Sequence, residues 1–164
     1  MRRMSLFIPI ISLLMITACG GGGAAAPTKA IITISASGPL ANGTLIGGID
    51  SALNLPAGVS VKATADAANP AALVTDAGVL AASGVAAGTN TTVLGTYTPA
   101  PPAVTIKVIN PAGFGTGEFV TVNCDIAAGS MVKAFDFSAT ALTAVDLNGA
   151  AITGLNAGLT VELL

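Results

Sequence analysis

Eight carboxylates, two thiols and no histidine set the limits of the chemistry this chain can do. The acids are Asp50, Asp66, Asp76, Glu118, Asp125, Asp136, Asp146 and Glu162. Cleaving a glycosidic bond takes two carboxyls facing each other across a cleft, and no spacing here draws two of the eight into one motif. Without histidine, a Cys/His nucleophile pair is excluded. No nucleophile and base can be paired, so no catalytic residue is assigned and the chain reads as a binding protein, not an enzyme. Asp146-Leu147-Asn148-Gly149 starts like a calcium loop, D-x-N-G. Such a loop needs further oxygen ligands at fixed offsets and a terminal bidentate acid. Here Ala, Ala, Ile, Thr and Gly follow, and the next acid is Glu162. The segment reads as a hairpin turn in which Asn and Gly accept positive φ; no metal ligand and no cofactor is expected. Gly113-Phe114-Gly115-Thr116-Gly117 is rich in glycine but leads into a strand pattern, so it lacks the helix of a phosphate-binding turn. It reads as a flexible loop.

The second thiol belongs to the most regular segment of the chain. In "EFVTVNCDI", Val120, Val122, Cys124 and Ile126 share one face, and Thr121, Asn123 and Asp125 the other. Period two places Cys124 on the apolar side of a strand. A free cysteine there is a small hydrophobe.

The rest of the chain is punctuated in the same way. "KAIITISAS" (29–37), "TLIGGIDSALNL" (44–55), "VSVKATA" (59–65), "TTVLGTY" (91–97), "AVTIKVIN" (103–110) and "GEFVTVNCDI" (117–126) are β-branched runs between Gly, Pro and Asn. "AFDFSATALTAVDL" (134–147) reads as a further strand with Phe135 and Phe137 on one face. "AAIT" and "GLTVELL" close the chain. The Ala-rich stretch 66–90 reads as a helical turn or irregular strand. "TPAPPA" (98–103) reads as an extended crossover, since proline removes hydrogen-bond donors. Strands at this spacing, with no long amphipathic helix, argue an all-β, antiparallel β-sandwich.

The order of these pieces resembles that of a cohesin-type domain over residues 29–164. The residues that carry the likeness are "TLIGGIDSALNLPAGVSVKAT", an irregular loop, "TVLGTY", "AVTIKVIN", the glycine-led strand of Gly117, Phe119, Thr121 and Val122, and a terminal hairpin with Asp146 to Gly149 at its turn. The resemblance implies a jelly-roll sandwich of about nine strands, a fold cohesins share with a group of carbohydrate-binding modules. It also implies recognition of a protein partner through one broad sheet face.

The first residues are of another kind. Met1, Arg2 and Arg3 precede an uncharged apolar run, Leu6 to Ala18, thirteen residues long. A spanning helix needs roughly 20, and Pro9 weakens this one further. A positive start, short apolar middle and small-residue exit mark residues 1–18 as a secretory signal. The exit, Ile16-Thr17-Ala18-Cys19, resembles the lipobox of bacterial lipoproteins. That likeness implies a thioether-linked diacylglyceryl group on Cys19, cleavage before it and acylation of the new amino group. One acyl chain anchors only marginally, while two or three hold firmly. Residues 19–28, opening with four glycines, are then a linker expected to behave as flexible coil. Gly20, with no aspartate after the cysteine, points to the outer membrane, on its periplasmic or surface face.

Arg2 and Arg3 leave with the signal, so four lysines face eight carboxylates and the net charge falls near −4. Four scattered lysines make no basic patch, which argues against nucleic acid; an anionic membrane surface gains nothing from this charge either. With Cys19 lipidated, Cys124 has no thiol partner in the chain. Sugar modules commonly stack rings on exposed aromatics. The part beyond the signal has no tryptophan, one tyrosine (Tyr97) and four phenylalanines. Phe119, Phe135 and Phe137 fall in strands and read as core, which leaves Tyr97 and Phe114 as platforms. The expected function is a lipid-anchored, cell-envelope module that recognises a protein. A polysaccharide-binding module and a structural envelope lipoprotein are the alternatives. The binding residues are not legible in the sequence.

Overall fold

Side chains that alternate along extended strands give each sheet one apolar face to bury, and in the computed structural model, which describes residues 26–140 and 142–164, two sheets pack face to face to do so. Among the described residues thirteen strands form: β1 (Lys29–Ser37), β2 (Ile46–Asn54), β3 (Val59–Ser60), β4 (Ala63–Ala65), β5 (Leu73–Thr75), β6 (Leu80–Ala82), β7 (Thr92–Pro99), β8 (Pro102–Phe114), β9 (Gly117–Ile126), β10 (Ser138–Ala139), β11 (Thr143–Asp146), β12 (Ala151–Ile152) and β13 (Asn156–Leu163). All the strand pairings are antiparallel. The smaller sheet runs β13-β1-β9, with β3 and β6 sharing the far edge of β9. The larger runs β12-β11-β2-β8-β7-β5-β4, with β10 beside β11 on the edge of β2. This sharing of edges by short pieces is why the strands outnumber the nine expected. The larger sheet ends in a two-residue strand on one side and a three-residue strand on the other.

The inward faces are those the alternation marks. Ala30, Ile32, Ile34 and Ala36 of β1 pack with Phe119, Val120, Val122, Cys124 and Ile126 of β9 against Ile46, Ile49 and Leu53 of β2 and Val104, Ile106 and Val108 of β8. Cys124 is buried as expected, and burial, with Asp125 adding to it, pushes its thiol up to about 12. It is neutral at physiological pH, so it is not a nucleophile.

Three local expectations are corrected. The run 59–65 is two strands in different sheets, because the chain leaves the smaller sheet after Ser60 and joins the larger at Ala63. The stretch 66–90 is irregular strand with a helical turn, as expected: it holds β5, β6 and a 3-10 turn, Gly84–Ala86, and Asn69-Pro70, Gly78 and Gly84 interrupt its longer runs. "TPAPPA" is not a crossover but a hairpin: Pro99 pairs with Pro102 around a cis Ala100–Pro101 peptide, linking β7 to β8. The run 134–147 is broken by a 3-10 turn, Ala134–Asp136, so Phe137 is buried and Phe135 lies outside.

Candidate functional site

The outward face of the larger sheet is the broadest surface the strands build. Because β2, β8 and β7 pair in register, Thr143, Asp50, Lys107 and Leu94 fall in one row across it. Val145, Gly48, Ile109 and Thr92 form the next row. On the other side lies Ala52, Thr105, Thr96, Val74 and Thr64. The Lys107 ammonium donates to Asp50 Oδ1 at 2.7 Å, with both side chains about half exposed. An exposed pair like this contributes at most about 1 kcal/mol to stability, so its role in folding is small. Around it stand aliphatic side chains that strand alternation points at solvent: Leu94 is 52% exposed and Ile109 48%. Two shallow hollows flank the ion pair. One, of about 360 Å³, is bordered by Val74, Leu94, Thr96, Thr105 and Asp66. The other, of about 190 Å³, is bordered by Asp50, Ile109, Thr143 and Val145. Lys107 borders both. A nearly flat, threonine-rich surface with apolar spots and one central ion pair can dock another surface.

The six aspartates have structural partners. Asp50 holds Lys107, and Asp125 accepts from Lys29 at 2.8 Å. Asp76 accepts the Thr64 hydroxyl at 2.7 Å. Asp66 and Asp136 accept the amides of Ala68 and Lys133 within their own turns. Among the described residues, no three His, Cys, Asp or Glu side chains stand close enough to hold a metal ion.

The D-x-N-G segment is the β11–β12 turn. Asp146 Oδ1 accepts the amides of Asn148 and Ala150, each at 2.8 Å, and Gly149 takes a φ of +82° that a side chain would resist. The Ala150 amide first, and the Asn148 amide next, hold the Asp146 carboxyl below the usual range. A depressed pKa makes the ionised form the one that holds the turn. Its contribution is present above the unfolded value of ~3.9 and is lost as pH falls through the folded value. In an NMR titration Asp146 is expected to protonate at lower pH than a free aspartate, with the Asn148 and Ala150 amide shifts moving in step. A midpoint at or above the free value contradicts this assignment.

The aromatic platforms read from the sequence are not brought together. Phe114 is buried, 4% exposed, because β8 bulges before it. Asn110 holds the bulge: its Oδ1 accepts the Ala112 amide and its Nδ2 donates to the Thr91 hydroxyl, both at 2.9 Å. Tyr97 is partly buried and packs against the core. Two features were missed. Ile109 lies on the same side of β8 as Thr105 and Lys107, and extending the alternation by two residues finds it. Phe135 is exposed; the spacing of Lys133 and Asp136 around it, which closes a turn, was the available signal. Cys19 and the signal 1–18 lie outside the described residues, and among those described no helix is long and apolar enough to cross a membrane. Compared with known proteins, the chain matches no family model and no curated protein.

Proposed function

We propose that the chain is a lipid-anchored module of the bacterial cell envelope, held by an acylated Cys19, which recognises a partner protein through the outward face of its larger sheet. The observation that carries the recognition half is the row of Asp50, Lys107 and Leu94 beside Ile109 and Val145. Apolar side chains stand exposed around a single ion pair on a flat sheet, the composition of an interface core within a polar rim. The anchor half rests on the Ile16-Thr17-Ala18-Cys19 segment and the glycine-rich stretch after it. A tether restricts the module to a plane, where even weak recognition gains from high effective concentration.

The test uses the full chain purified from the membranes of the producing cell. The mass of its N-terminal peptide reports the lipid; a free Cys19 thiol on an uncleaved chain overturns the anchor. The same chain, immobilised, is offered that cell's envelope extract with calcium and with chelator, and soluble polysaccharides in parallel. One discrete protein is expected to be retained, and the double variant Leu94→Glu, Ile109→Glu is expected to lose it while keeping its fold. Retention unchanged by that variant removes the sheet face from the reading. Retention of polysaccharide alone moves the function to glycan binding, and retention of nothing leaves a structural envelope role.

A further inference from the structure

The strand pairings gather several segments at one end of the sandwich. Lys29, where β1 begins, lies opposite Asp125 on β9, and the Thr28 carbonyl accepts the Ile126 amide at 2.8 Å. The Gly58 carbonyl accepts the Ala127 amide at 2.8 Å, and the Pro102 carbonyl accepts the Leu55 amide at 3.0 Å. The start of β1, the Pro99–Pro102 turn and the loop that follows β9 therefore share that end. The loop reads "AAGSMVKAFDF", residues 127–137. It carries the two most exposed large apolar side chains among the described residues, Met131 at 93% and Phe135 at 79%.

This loop is held in shape. Val132 and Phe137 are buried and fix it to the core. Asp136 Oδ2 accepts the Lys133 amide at 2.8 Å, and the Asp136 amide donates to the Lys133 carbonyl at 3.0 Å. The Lys133 ammonium sits 5.4 Å from the centre of the Phe135 ring. A lone exposed hydrophobe is ordinary on a protein surface. Here a thioether and a phenyl ring stand four residues apart with a lysine between them, on a turn that fixes their outward position. Its two charged groups, Lys133 and Asp136, cancel. That is the chemistry of an apolar wedge seated at the acyl–headgroup boundary, with the amine reaching back to the headgroups.

The length of the tether says what covers the loop. Thr28 lies nine positions after Cys19, and nine residues span at most roughly 30–32 Å even when fully extended. A lipid on Cys19 holds close to the bilayer the very end of the sandwich that bears the loop. We infer that residues 127–137 form a second membrane contact, with Met131 and Phe135 seated in the interface of the bilayer that holds the Cys19 lipid. This rests on the lipoprotein reading. Two contacts at one end stand the sandwich upright and keep the outward face of the larger sheet open to a partner.

The chain has no tryptophan, so Phe135→Trp introduces a single fluorophore. The full chain carrying it is purified from membranes, its N-terminal peptide weighed, and reconstituted into vesicles of phosphatidylethanolamine and phosphatidylglycerol with and without brominated phosphatidylcholine. The emission is expected to shift to the blue on reconstitution and to be strongly quenched by the bromines, at low and high salt alike. Leu94→Trp, on the sheet face, is expected to show neither change. Acylated chain that floats with the vesicles but leaves the Phe135→Trp fluorophore unquenched overturns the loop contact and leaves the anchor standing. Chain with a free Cys19 that stays out of the vesicles overturns both. A blue shift produced by envelope proteins without vesicles assigns the loop to a protein partner and overturns the membrane contact.

Discussion

Phe119→Ala is expected to lower the free energy of unfolding by about 3–5 kcal/mol. Phe119 has no exposed surface and is the largest of the fully buried side chains. It stands on β9, the strand that joins β1 to the β3 and β6 pieces, so the space it leaves lies at the centre of the smaller sheet. Removing the ring takes away its transfer free energy and leaves a void the β-sheet backbone cannot close. A domain of this size has about 5–15 kcal/mol in all, so the variant keeps its fold with a much lower denaturant midpoint. The control is Phe135→Ala. The same chemical change at an exposed position is expected to stay within about 0.5 kcal/mol. Denaturation followed by circular dichroism compares the two. Equal midpoints for the two variants would contradict the burial assigned to these rings.

A stop after residue 155, which removes β13, is expected to abolish cooperative unfolding. β13 covers one whole edge of β1, from Ala30 opposite Leu163 to Ser37 opposite Asn156. Leu159, Val161 and Leu163 pack against the core beside it. The Thr28 and Lys29 amides also donate to the Leu164 carbonyl, at 2.7 and 3.0 Å. Without these residues β1 becomes a bare edge with Ile32 and Ile34 uncovered, and bare apolar edges pair with other chains. The expected product is an aggregating chain with no sharp transition. The free peptide of residues 156–164, supplied during refolding, is expected to restore a two-state curve by adding the missing strand. A truncated chain that melts as sharply as the intact one would show that β13 is dispensable.

How far the sequence could be read depended on how local the deciding contact was. β1, β8 and β9 were legible because each alternates with period two over seven or more residues, and a one-residue slip would turn every apolar side chain to water. Cys124 was placed by the same pattern. The division at Val61-Lys62 was not legible, since a run of Val and Ala suits either sheet and only the pairing with β9 or β5 decides. The prolines at 99–102 misled because proline's missing donor costs nothing at the tip of a hairpin, where no ladder bond is required. Phe135 misled because two phenylalanines at spacing two mimic a strand, while Asp136 closes a turn on Lys133 and sends the two rings opposite ways. The outward face could have been found as a place but not as a site. Its row of Asp50, Lys107 and Leu94 comes from three strands distant in sequence, and register, not spacing, brings them together.

The short strands that end the larger sheet bear on crowding. Molecules confined to a lipid surface meet one another far more often than the same number free in solution, and always in a restricted set of orientations. A sheet with a long, flat rim would then stack rim to rim into ribbons. Here the rims are β12, two residues long, and β4, three residues long, stubs that offer a neighbour too few amides and carbonyls to form a ladder. On the proposed lipid anchor, neighbouring copies therefore gain no ladder through this sheet, and the rim left to pair is the eight-residue β13 at the outer edge of the smaller sheet.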